Sequence, residues 1–182
     1  MARTLESIRN ARMYSTDVGE TTEIGDAGVV NHGLVSVATI SFETDKKVLQ
    51  DTSDGTGGAF ATHFRVTTMS GVVTMREEIA MNFQMAFRAT ETAGSTANEK
   101  VYNFLAAPAF ERRLLFKGVS ETNLGDTFLL EVYRAKFSPV ESFEMITDDF
   151  SETTLNFDVL TNPDATDLAD KFAKMTVVKA AA

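Results

Sequence analysis

Apolar and polar side chains alternate along much of the chain. From Ile79 to Phe87 the apolar positions Ile79, Met81, Phe83, Met85 and Phe87 are separated by Ala80, Asn82, Gln84 and Ala86, a period of two that predicts a half-buried strand. Leu155, Phe157 and Val159 repeat the pattern against Thr154, Asn156 and Asp158. Runs rich in β-branched and aromatic residues at 34–43, 60–68, 113–117, 127–137, 142–146 and 175–178 predict further strands. A helix is expected over 97–107, where Thr96 and Glu99 form a capping-box pair ahead of Val101, Phe104 and Leu105 and Pro108 closes the segment. A shorter one is expected over 164–174, with acids in its first turn and Leu168 and Phe172 one turn apart. Residues 14–33 fit no regular pattern. The fold class that follows is mainly β, a sandwich or barrel with one flanking α-helix.

Residues 43–60 form a polar stretch between two predicted strands and read as a long inter-strand loop. A connection of that length is uncommon in a compact domain unless it is functional or disordered. Fully extended it spans roughly 60 Å at about 3.3 Å per residue, against a domain radius of gyration of about 16 Å. Lys46, Lys47, Val48, Leu49, Asp51, Asp54, Gly55, Gly57 and Gly58 are therefore candidates for contact with a neighbouring molecule.

Length and composition fit one domain over residues 1–182, with 43% hydrophobic and 24% charged residues. There is no apolar run of about 18 residues to cross a membrane, and no apolar segment behind the N-terminal arginines to form a secretory leader. The expectation is a soluble, intracellular protein. The absence of cysteine excludes disulfides and thiol chemistry. The formal charge of −9 is localised: between Phe137 and Asp170 there are nine acids and no Lys or Arg, so acids and bases balance over the rest of the chain. Such a strip either solvates a face or repels polyanions; it cannot hold DNA, which requires cations.

Candidate chemistry is sparse. His32 and His63 are the only histidines, neither stands in a hydrolase or metalloprotease motif, and both are expected at the surface or a sheet edge. Asp148 to Ser151 reads as a hairpin turn rather than a general acid–base pair. Asp51, Asp54 and Gly55, and Asn162, Asp164 and Asp167, gather oxygen ligands that calcium accepts, but neither group follows the twelve-residue calcium loop. The glycines at 55, 57 and 58 lack the Lys-Ser/Thr of a phosphate loop. No cofactor, metal or catalytic residue is expected, and no enzyme.

The order of features resembles the major tail tube proteins of long-tailed bacteriophages over nearly the whole chain. The resemblance is carried by the segment from Arg9 through Glu23 to Asp26 into the strand Leu34 to Thr44, by the long insert, by 75–89 followed by Asn98 to Leu105, and by the closing series Tyr133 to Pro139, Phe143 to Phe150 and Thr154 to Leu160. It implies a virion protein made in the host cytoplasm, forming hexameric rings that stack into a hollow tube through which DNA passes without specific binding. Residues 1–33 would be an N-terminal arm, and arm and loop would bridge neighbouring subunits. Partners would be further copies of the chain and the tail tip or baseplate, tape measure and tail terminator proteins, with no membrane. Glu144, Asp148, Asp149, Glu152 and Asp158 are the candidates to line the channel, where carboxylates repel phosphate. The alternative is another β-rich virion or binding module that forms no tube.

Overall fold

The computed structural model describes residues 8–51, 58–76, 80–96, 98–120, 125–140, 152–167 and 171–180, with side chains placed at all of these except 8–9, 46–51, 58–67 and 80. Among these described residues nine strands and one helix run in the order β1 (Ile8–Thr16), β2 (Val30–Asp51), β3 (Gly58–Met75), α1 (Ala80–Phe87), β4 (Thr90–Ala93), β5 (Lys100–Asn103), β6 (Glu111–Ser120), β7 (Thr127–Ser138), β8 (Thr153–Val159) and β9 (Ala173–Val178). Six of the strands, in the cyclic order β6-β1-β2-β3-β8-β7, close into a barrel through the β6–β7 pairing, and every pairing is antiparallel. An even number of strands is what permits an all-antiparallel closure. The edge of β7 away from β6 is shared: Ala135 to Ser138 pair with β8, and Thr127 to Val132 pair with β9.

Alternation fixes the two faces. In β8, Thr153, Leu155, Phe157 and Val159 are buried while Thr154, Asn156 and Asp158 are exposed. Their β3 partners follow suit, with Met75, Val73 and Gly71 turned inward. Met13, Leu114, Val132 and Phe137 complete the barrel interior from the other side. Burying a Phe or Leu contributes about 1.5–3 kcal/mol each, so this interior is the main source of stability. Bulges in β1, β2 and β6 bend the strands as closure requires. At the β1 bulge Asn10 takes φ 51°, a conformation asparagine tolerates better than most residues.

Expectations in three regions and at the N-terminus are corrected. The described part of the alternating segment 79–87 is not a strand: Ala80–Phe87 is the helix. Alternation there coincides with helical spacing, and α1 buries Asn82, Met85 and Ala86, with Ala89 just beyond it. Phe83 and Phe87 stack at 6.1 Å one turn apart. The stretch contains good helix formers and no β-branched residue. Arg88, at φ 49°, ends the helix, and the Ala89 amide bonds the Gln84 carbonyl at 3.1 Å in a Schellman arrangement.

In the described part of the predicted helix at 97–107, Lys100–Asn103 is instead the second strand of a hairpin formed by β4 and β5, and the residues after it are a connection. The Glu99 carboxylate does reach back, but to the amide and hydroxyl of Ser95 at 2.8 and 2.7 Å, which closes a turn rather than a helix. These bonds hold its carboxyl below the usual carboxylate range. Val101 and Tyr102 favour the extended form. The helix expected over 164–174 is also absent from its described part: Asp164 lies in a turn and β9 begins at Ala173. The expected strand at 142–146 lies outside the described residues.

The third correction concerns 43–60. Residues 43–51 and 58–60 are strand, not loop: β2 and β3 pair from Glu43↔Thr68 to Asp51↔Gly58, with irregularities after Glu43 and Leu49. Residues 8–16, expected within an N-terminal arm, form β1 inside the barrel.

Candidate functional site

The barrel has two unlike ends. At one lie the C-terminal ends of β1, β3 and β7 and the N-terminal ends of β2, β6 and β8, and α1 is packed there. Its Ala86 carbonyl accepts the Val140 amide at 2.8 Å just past β7. Asn82 reaches from α1 to β2, where its Oδ1 lies 2.6 Å from His32 Nδ1 and its Nδ2 donates to the His32 carbonyl at 3.4 Å. The other ring nitrogen, Nε2, lies 2.6 Å from Ser15 Oγ on β1. An amide oxygen only accepts, so Nδ1 carries the proton and Nε2 accepts from the serine hydroxyl.

Ser15, His32 and Asn82 are 0%, 0% and 1% exposed. His32, expected at the surface or a sheet edge, has its side chain fully buried. The trio has the nucleophile, base and orienting amide of a hydrolase in the right order, but its burial leaves a substrate no approach, and it acts as a latch between the helix and two strands. Burial, and to a lesser degree the nearby Arg112 guanidinium, push the imidazole down to about 4 against the opposing effect of the Asn82 bond.

The opposite end is open. Beyond Leu34 no strand among the described residues pairs with β2 on the side away from β3, because β1 turns off to pair with β6 alone. The mouth at this end holds an apolar pocket of about 520 Å³ between β2, β3 and β9, lined by Ile40, Phe42, Met69, Leu130, Phe172 and Met175 among others. Phe42 and Met175 are 62% and 63% exposed there.

From this same end β2 and β3 continue past the last β3–β8 rung, Ser70↔Asp158, as a two-stranded ribbon. Its rungs from Thr44 to Asp51 extend roughly 25 Å at about 3.4 Å per residue. Of the candidate contact residues, Lys46, Lys47, Val48, Leu49 and Asp51 lie along β2 and Gly58 begins β3, while Asp54, Gly55 and Gly57 lie outside the described residues. His63 pairs with Lys47 in the ribbon.

The candidate channel acids divide. Glu144, Asp148 and Asp149 lie outside the described residues, as does the expected turn at 148–151. Glu152 and Asp158 are exposed on the outer barrel face, beside Thr154, Asn156, Ser70 and Thr74. Neither stands alone: Glu152 pairs with Arg76 at 3.0 Å, and Asp158 lies in register opposite Lys136. The face is rich in hydroxyls more than in net charge. Among the described residues no cluster of His, Asp or Glu is placed to hold a metal. At 162–167 the Asn162 side chain accepts the Asp164 amide at 3.2 Å, which is turn chemistry.

Sequence reasoning missed the mouth, the latch and the free β2 edge. Each depends on which strands become neighbours in the barrel, and no local pattern carries that.

A family described as "Protein of unknown function UCP028589" has a model that matches residues 93–174. Those residues are similar to that family. The match begins at the end of β4 and runs through β5 to β8 into the first residues of β9, so it leaves out the ribbon and the helix. No curated protein matches the chain. No described helix is long and apolar enough to cross a membrane.

Proposed function

We propose that this chain is a self-assembling structural subunit whose copies join edge to edge into rings and stack into a hollow tube of the phage tail type. The observation that carries the reading is the β2–β3 ribbon, a paired extension leaving the barrel, with the edge of β2 from Val35 to Phe42 open among the described residues. An open edge strand is a template for pairing with another chain unless it is blunted or covered. Val37 on this segment is 54% exposed. In an assembled ring the edge is covered by the neighbouring subunit, which removes the aggregation hazard.

The outer face of β3 and β8 supports a conduit role. Among the described residues it presents Ser70, Val72, Thr74, Thr154, Asn156 and Asp158, and its cations Arg76 and Lys136 each stand opposite a carboxylate. A DNA channel needs a surface of this kind.

Shortening the ribbon tests the reading. Removal of residues 46–49 together with their partners 61–64 takes out four matched rungs and keeps the register on either side. The expected result is a folded chain with an unchanged thermal transition that no longer assembles. Assembly equal to that of the unaltered chain would reject the bridging role of the ribbon.

A further inference from the structure

The two ends of the barrel carry complementary apolar features. At the helix end, the connection from β5 to β6 presents Phe104 and Leu105, which are 62% and 67% exposed. They are held out rather than left loose. The Leu105 amide bonds the Phe87 carbonyl at 2.9 Å and the Ala107 amide bonds the Arg88 carbonyl at 2.8 Å, which ties the connection to the end of α1. Arg88 Nε donates to the Ala107 carbonyl at 3.0 Å, and the Phe104 ring packs on Phe87 with centroids 4.7 Å apart. Leu105 sits at φ 57°, a left-handed conformation that leucine rarely adopts. A strained backbone holding a large apolar side chain in solvent calls for a use.

At the other end the mouth is an apolar pocket of about 520 Å³. An apolar cavity of about 150 Å³ accepts a benzene-sized group, so the mouth has room for more than one large side chain. A knob at one end of a molecule and a matching pocket at the other make a heterologous contact, which repeats without closing on itself.

We propose that the Phe104–Leu105 knob of one copy seats in the apolar mouth of the next, forming the axial contact between successive layers of an assembly. The inference rests on the self-assembly reading above and adds its polarity: helix end into open mouth. Rim residues Phe42 and Met175 close around the inserted side chains and are buried by them.

Two knob variants test it. Leu105→Asp places a charge where an apolar pocket must receive it, and Leu105→Gly removes the side chain while suiting the left-handed backbone. Both should fold, the glycine variant at least as stably as the parent, and both should raise the critical concentration for stacking roughly tenfold or more, as loss of an interface hot spot does. In electron micrographs single rings should replace tubes. Met175→Glu in the mouth should do the same. An equal mixture of Leu105→Asp and Met175→Glu copies retains one good knob and one good mouth, so pairs should form and longer stacks should not.

Tubes of normal length from Leu105→Asp or Leu105→Gly would overturn the axial contact and leave the tube reading intact. Failure of the unaltered chain to form rings or tubes would overturn the reading beneath both. If the monomer binds a small apolar dye in the mouth and the dye stays bound during normal assembly, the pocket belongs to a small ligand and the proposal is wrong.

Discussion

The ring of Phe157 lies against Gly71, its partner across β3 and β8, so closely that a methyl group at residue 71 would meet the ring at 2.2 Å. The same ring packs against Phe137 with centroids 5.7 Å apart. The three residues join β3, β8 and β7 inside the barrel. A glycine inside a strand usually weakens it; here the aromatic ring occupies the space that a side chain would fill.

Gly71→Ala should accordingly destabilise the fold by about 1–3 kcal/mol, the cost of overpacking a filled core. Urea unfolding checks this. Combining it with Phe157→Leu should recover part of the loss, because the smaller side chain makes room. A Gly71→Ala variant as stable as the parent would show that the ring moves aside freely.

The latch gives stability a defined pH dependence. In the unfolded chain His32 titrates near its ordinary value of 6.5, and in the folded chain near 4. Between those values the unfolded state binds a proton that the folded state refuses. Stability is therefore full above about pH 6.5, falls as the pH drops towards 4, and by linkage loses about 3 kcal/mol over that window. His32→Gln should flatten this part of the profile, measured by chemical unfolding from pH 7 to 4. A histidine variant with the same slope as the parent would place the acid sensitivity elsewhere.

Arg113 ties an irregular segment to the barrel. It pairs with Glu131 across β6 and β7 at 2.6 Å, and its Nη1 also donates to the carbonyls of Glu20 and Thr22 at 2.6 and 3.1 Å. Arg113→Met leaves a partly buried carboxylate and two carbonyls without this donor. The expected loss is about 1–3 kcal/mol, together with faster hydrogen exchange in residues 17–29. Exchange there at the parental rate would contradict the anchoring role.

The conduit proposal predicts a gain of adhesion. Asn156→Lys with Asp158→Lys puts two cations on the outer face of β8 in each subunit. If that face lines a channel, tubes of the variant should retain duplex DNA that nuclease cannot reach and that high salt releases. DNA held on the outside and fully digested would place the face on the outer wall.

Much of this architecture was legible in the chain. Leu155, Phe157 and Val159 alternate with polar residues because one face of β8 looks into the barrel, and periodicity reports that directly. It failed at 79–87, where Met81 and Met85 satisfy both a period of two and the i, i+4 spacing of a helix, and only the lack of β-branched residues from Ala80 onwards separated them. It failed at Thr96 and Glu99 because a carboxylate reaching back to a backbone amide closes a hairpin as well as a helix. The polar run at 43–51 hid a strand, since the backbone pairing that makes the ribbon has no need of apolar alternation. His32 could not be placed, because its partners Ser15 and Asn82 are 17 and 50 residues away.

The most direct test of the central claim is negative-stain electron microscopy of the purified chain, with light scattering to follow mass against concentration. The account predicts rings with a central hole that lengthen into tubes as concentration rises. A protein that remains a monomer at high concentration, and adds to neither rings nor tubes seeded from preformed fragments, would contradict it.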